Sequence, residues 1–233
     1  MRKAGAGPPA GTHAPRKTPG GAARGQMPPA VPIRYARLAA HGEPDRLDTF
    51  RWISTVFSMI LGLGVARLLA SAVAVFRARR RAILDWVPMA WALFIFLQQL
   101  AFWWSMEELA TAMRTWTFPN FLLIVALVLA LFLAAALILP PAEIEEGTNL
   151  RRHFEADGRW ALIPIAAFNA LAILANALFW NMDVLTLAEA LNFALCLLPL
   201  IAFASPRPIQ IAATLLYIPL GLYAFAELLP SHY

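Results

Sequence analysis

Cysteine and charged residues are both scarce in this chain of 233 residues. Its one cysteine, Cys196, lies in an apolar run, so no disulfide can form within the chain. Charged residues make up 14% of the sequence, against about 25% in soluble domains. Hydrophobic residues make up 60% and the mean hydropathy is +0.62. This composition predicts a membrane protein.

Sequence motifs of the common enzymes are also missing. There is no G-x-x-x-x-G-K-[ST] phosphate loop, which argues against ATP-driven transport, and no G-x-S-x-G nucleophile elbow. The four histidines are separated along the chain and form neither an H-E-x-x-H pair nor a haem-ligand pair. We therefore predict no catalytic residue, no metal site and no cofactor.

Six apolar runs follow one another from residue 52 onward. At about 1.5 Å per residue, each is long enough to cross the roughly 30 Å hydrocarbon core of a bilayer. We predict an all-α membrane protein in which residues 50–233 form one domain of six transmembrane helices. The predicted spans are 52–76, 86–105, 121–139, 160–180, 184–204 and 209–229.

A basic tail rich in proline, glycine and alanine, residues 1–49, precedes the first span. Residues 1–30 hold almost no large apolar side chains, which predicts a disordered segment. No apolar stretch of about 7 to 15 residues follows its basic start, so it does not fit a secretory signal peptide. Its composition is what read-through of GC-rich DNA yields, and we expect a later translation start, for example at Met27.

The net charge of +5 comes from arginines and lysines that lie mainly in the tail and in two connecting segments. Basic loops lie preferentially on the cytoplasmic side of a membrane. Counting arginines near the spans gives eight on one side and four on the other, which predicts that both termini are extracytoplasmic. Because basic loops at an anionic membrane face explain the high pI, we predict no nucleic-acid partner.

Small side chains recur at every fourth position of the first predicted span. This spacing places them along one edge of a helix, where another helix can approach closely. We predict that this packing ridge serves helix packing or self-association, with the lipid bilayer and further copies of the chain as partners. The ridge consists of Ser58, Gly62, Ala66, Ala70 and Ala74.

Three polar side chains share one predicted depth in the membrane: Arg67, Gln98 and Asn169. A charge at mid-bilayer costs about 2.5 to 3.5 kcal/mol on insertion scales, so Arg67 is the most informative polar residue of the spans. One interpretation is that its long side chain extends to the interface or pairs structurally. The other is that this intramembrane polar layer lines a transport path or binds a ligand.

A second group of polar residues lies nearer the predicted outer face. Several carboxylates at one height could attract a cation or relay protons, but acidic residues at an interface are also commonly just solvated. Both interpretations stay open for this outer acidic layer, which consists of Asn176, Asp183, Glu189 and Glu227.

Six short segments resemble an uncharacterised family of small bacterial multi-pass inner-membrane proteins with no assigned activity. They are FSMILGLGVARLLAS at 57–71, LDWVPMAW at 84–91, FWW at 102–104, WTFPNF at 116–121, AAALILP at 134–140 and HFEADGRWAL at 153–162. The resemblance covers roughly residues 50–181. It implies a location in the bacterial inner membrane and brings no catalytic residues.

These observations favour a structural or interaction protein of unknown molecular role. The alternative is a small secondary transporter or channel for protons or cations that uses Arg67 and the intramembrane amides. A membrane enzyme comes third.

Overall fold

The computed structural model describes residues 33–80, 82–112, 117–141, 149–179 and 187–228. Side chains are described at 51–80, 82–106, 109, 117–141, 149–179 and 190–226. The chain divides into two units, Met1–Pro44 and Asp45–Tyr233. In the first unit, residues 33–44 are helical. All described side chains belong to the second unit.

In the described ranges the chain forms seven α-helices and one 3₁₀ turn, Gly158–Ala161. The β structure of these ranges is a single isolated bridge between Ile83 and Asn149. The predicted all-α class is therefore confirmed. The helices are α1 Ile33–Ala78, α2 Trp86–Ala112, α3 Phe118–Leu137, α4 Leu150–Ala156, α5 Leu162–Phe179, α6 Leu187–Ala204 and α7 Arg207–Leu228.

Five helical segments of the described chain are long and apolar enough to cross a bilayer, judged by length and composition. The sequence predicted six spans, so the count among the described residues differs from the prediction by one. The five segments are Arg51–Ala78, Trp86–Met106, Phe118–Leu137, Gly158–Phe179 and Arg207–Ala226.

The difference lies in α6, where the sequence predicted a span over 184–204. α6 is described from Leu187 to Ala204, and its side chains are described only from Ala190, which leaves the shorter apolar segment Ala190–Ala204. Residues 180–186 lie outside the described ranges. The start of the predicted span, residues 184–189, therefore lies outside the described side chains.

Two other helices exceed their predicted lengths. Residues 33–49, assigned to the tail from sequence, are helical and belong to α1, whereas residues 1–32 lie outside the described part. Alanine, leucine and arginine over residues 36–40 are good helix formers, which accounts for helix there. α2 continues to Ala112, seven residues beyond the predicted end at 105.

The helical body is built on α5, which packs against α3 and α6, while α6 packs along α7 and α2 contacts both α3 and α7. α1 joins this body through one face, where Phe57, Leu61, Leu68 and Val75 are buried. On the same face, a Cβ added to Gly64 would lie 3.2 Å from the side-chain amide of Gln99. Glycine therefore lets α1 approach α2 closely at this point.

Candidate functional site

Four polar side chains lie on one face of α7: Arg207, Gln210, Thr214 and Tyr217. Their spacing of three, four and three residues places them on one side of a helix. Arg207 is half-buried and the other three are buried. We refer to these four residues, together with Asp85, Trp91, Gln98 and Asn169, as the polar stripe.

The first part of the polar stripe is an ion pair between Arg207 and Asp85, the residue that precedes α2. The side chains are 16% and 7% exposed, so the pair is largely withdrawn from solvent. Asp85 also accepts a hydrogen bond from the backbone N–H of Val87 at 3.0 Å, which caps the first turn of α2. The carboxylate thus joins the start of α2 to the start of α7.

The middle of the polar stripe links α7 to α6 and α2. The Gln210 amide accepts from Arg207 at 2.9 Å and donates to the carbonyl of Ala202 at 3.3 Å. The indole N–H of Trp91, a residue only 1% exposed, donates to the hydroxyl of Thr214 at 3.0 Å. Thr214 in turn donates to the Gln210 carbonyl at 2.7 Å.

The deepest part of the polar stripe connects four helices. Gln98 Nε2 on α2 lies 3.0 Å from Asn169 Oδ1 on α5 and 3.4 Å from the Tyr217 hydroxyl. Asn169 Nδ2 donates to the carbonyl of Leu195 on α6 at 2.9 Å. The Tyr217 ring packs 4.6 Å from that of Trp91. Hydrogen bonds and ring packing together fix the relative positions of α2, α5, α6 and α7.

The chemistry of the polar stripe favours helix attachment over proton relay. An indole N–H donates and cannot accept, so the bond from Trp91 to Thr214 cannot pass a proton onward.

Two buried amide oxygens, those of Gln98 and Gln99, have no hydrogen-bond partner in the described part of the chain. The Gln99 nitrogen lies 3.5 Å from the Leu131 carbonyl, so each glutamine faces a different neighbouring helix.

The structure brings together two members of the predicted intramembrane polar layer, Gln98 and Asn169, by the 3.0 Å hydrogen bond. Arg67 is half-buried, and its guanidinium donates to the Ser71 hydroxyl at 2.7 Å, one turn further along α1. No described hydrogen bond or ion pair joins Arg67 to the other two residues.

Most of the predicted outer acidic layer lies outside the described side chains. Asn176 is half-buried on α5. Asp183 and the side chains of Glu189 and Glu227 fall on positions that are not described. Among the described residues there is no group of three or more His, Cys, Asp or Glu side chains that could hold a metal ion.

The packing ridge faces away from the helical body. Gly62, Ala66 and Ala70 are exposed, and Ser58 and Ala74 are half-buried. A Cβ added to Gly62 would meet no atom within 4 Å. No helix of the described chain therefore covers the ridge at Gly62.

Seven described arginines lie near one end of the helical body, which we call the basic end. The N–H of Leu150 donates to the Ile83 carbonyl at 3.0 Å, which brings the segment after α1 to the start of α4. The Asp85 ion pair places the start of α7 at the same end. The seven residues are Arg77, Arg79, Arg80, Arg151, Arg152, Arg159 and Arg207.

Sequence reasoning missed most of the polar stripe. The predicted spans leave Asp85 and Arg207 outside the membrane helices, and the predicted polar layers do not include Gln210, Thr214 or Tyr217. The available signal was the three-four-three spacing on the last apolar run, a pattern that puts polar groups on one helix face.

Comparison with protein-family models, with curated proteins and with solved structures gave no match to this chain. The resemblance to an uncharacterised bacterial membrane family therefore stays a prediction.

Proposed function

We propose that this chain is a multi-pass protein of the bacterial inner membrane with a structural or interaction role. Five apolar helical segments of sufficient length support the membrane location. We include α6 as a sixth membrane helix because it packs along both α5 and α7, which provide two of the five apolar segments. The clustering of arginines at the basic end supports a cytoplasmic position for that end and extracytoplasmic termini.

A structural role agrees with the way the buried polar groups are used. In the polar stripe, Asp85 pairs with Arg207 and Asn169 bonds to both α2 and α6. Hydrogen bonds between membrane helices are worth about 0.6 kcal/mol on average and up to about 1.7 kcal/mol each. These groups therefore hold the helices in one arrangement.

The observation that carries the interaction role is the exposed packing ridge on α1. The opposite face of this helix, with Phe57 and Leu68, is already buried against the body. Small residues on a membrane helix let the backbone of a second helix approach closely, so that the two helices make many dispersion contacts. We propose that the part of the ridge around Gly62 and Ala66 contacts α1 of a second copy.

Replacing Gly62 with leucine is expected to weaken this self-association by about tenfold, which corresponds to about 1.4 kcal/mol. The added side chain meets nothing within the described chain, so the monomer should keep its melting temperature. Analytical ultracentrifugation in detergent measures the dimer fraction. Ala170→Leu, an exposed alanine on α5, is the matched control. An unchanged dimer fraction in Gly62→Leu, or an entirely monomeric parent protein, would refute the interaction proposal.

A second candidate, a proton or cation transporter, is favoured by the amide oxygens of Gln98 and Gln99, which have no hydrogen-bond partner among the described residues. Carbonyl oxygens replace the hydration shell of a permeating cation in known selectivity filters. On this hypothesis Arg67→Ala abolishes ion flux in proteoliposomes while the fold stays intact, and Arg152→Ala, an exposed arginine on α4, leaves flux unchanged. Equal flux in the parent protein, in both variants and in empty liposomes would eliminate this candidate.

A further inference from the structure

A shallow apolar groove of about 380 Å³ runs along the outer face of α1 near its C-terminal end. Ala70 and Ala74 leave a depression beside the larger side chains of Leu69 and Val73. The groove ends at Arg77. From Leu69 to Arg77 the helix rises about 12 Å, which suits part of an extended hydrocarbon chain.

The positive charge of Arg77 at the end of this groove favours a bound molecule with an anionic group. Arg77 is exposed, and no described hydrogen bond or ion pair occupies its guanidinium. Arg79, two residues along the chain, stacks 4.1 Å from the centre of the Phe76 ring and donates a hydrogen bond to the Phe76 carbonyl at 3.0 Å. A molecule that matches this surface is apolar along its length and anionic at one end.

A second copy of the chain fits this part of α1 poorly. Two copies inserted in the same direction would bring Arg77 towards its own counterpart, and like charges repel. Helices packed through small residues commonly cross at about 40°, so a contact centred on Gly62 diverges before it reaches Ala74. Self-association near Gly62 therefore leaves the groove free.

We propose that this groove binds an anionic phospholipid of the surrounding bilayer. One acyl chain lies over Ala70 and Ala74, and the phosphate accepts hydrogen bonds from Arg77. Negatively charged lipids are enriched at the cytoplasmic leaflet, where the basic end is proposed to lie. The inference rests on the proposed membrane location, and it adds a lipid class and a binding residue.

Native mass spectrometry of the full chain in a neutral detergent tests this site. Phosphatidylglycerol and phosphatidylcholine with identical acyl chains serve as the two probes. The parent protein should bind phosphatidylglycerol about fivefold more tightly, the factor expected for one arginine at a lipid surface. Arg77→Gln should remove this preference, and Arg77→Lys should retain most of it. Ala74→Leu should weaken binding of both lipids because leucine fills the groove.

Two control variants separate the groove from general effects. Arg152→Gln removes a positive charge on α4, and Ala212→Leu enlarges an exposed residue on α7; both should leave lipid binding unchanged. The proposal is overturned if Arg77→Gln keeps the full preference, or if Arg152→Gln loses it equally. It is also overturned if Ala74→Leu changes only the dimer fraction, which would assign the groove to a second copy. If the chain stays in membranes but shows no preference between the two lipids, the lipid site is refuted and the proposed membrane location is not.

Discussion

Replacing Asp85 with alanine is expected to lower the free energy of unfolding by about 3 kcal/mol or more. The variant leaves the Arg207 guanidinium largely buried without its counter-charge, and it also removes the cap on the first turn of α2. A lost cap alone typically costs about 1 kcal/mol. Thermal unfolding in detergent, followed by circular dichroism, measures the change.

Three comparisons separate the contributions of charge and cap. Asp85→Asn keeps a capping oxygen but loses the charge, so it should fall between the parent and Asp85→Ala. The double variant Asp85→Ala/Arg207→Ala should be more stable than the sum of the single changes predicts, because no unpaired charge remains. Glu155→Ala breaks the exposed pair with Arg151 and should change little. If Asp85→Ala melts like Glu155→Ala, the ion pair does not stabilise the fold.

Trp91→Ala is expected to destabilise the protein by about 3 to 5 kcal/mol, the range measured for truncation of large buried aromatic residues. The indole is 1% exposed and packs 4.6 Å from the Tyr217 ring, so its removal leaves a cavity between α2 and α7. The Thr214 hydroxyl also loses its donor. The same melting experiment measures this loss.

Two tryptophan variants on α2 provide the controls for this prediction. Trp91→Phe keeps an aromatic ring but loses the indole N–H, so the loss should be clearly smaller than in Trp91→Ala. Trp103→Ala removes an indole that is 60% exposed and should cost far less. Equal destabilisation by Trp91→Ala and Trp103→Ala would show that the polar stripe contributes no specific packing.

The positions of most helices could be predicted from the sequence because uninterrupted apolar runs end at prolines or charges. The predicted span 121–139 corresponds to α3 at Phe118–Leu137, and 209–229 corresponds to α7 at Arg207–Leu228. α6 was predicted as a span from its apolar run, and its described part packs along α5 and α7. The length of that run does not show which helices become its neighbours.

The contents of the candidate site were only partly predictable. Counting the rise per residue placed Gln98 and Asn169 at a similar depth. In the structure Gln98 Nε2 lies 3.0 Å from Asn169 Oδ1. The same count does not give the direction in which a side chain points, and Arg67 bonds to its own helix instead. Asp85 and Arg207 are separated by 122 residues, so their pairing depends on which helices are neighbours.

Alkaline carbonate extraction of membranes from bacteria that express the full chain tests the central claim most directly. An integral membrane protein stays in the pellet at high pH, because its apolar helices remain in lipid, and enters solution only when detergent is added. We predict this result for the parent chain. Release of the protein into the carbonate supernatant without detergent would contradict the proposed membrane-spanning architecture and the role built on it.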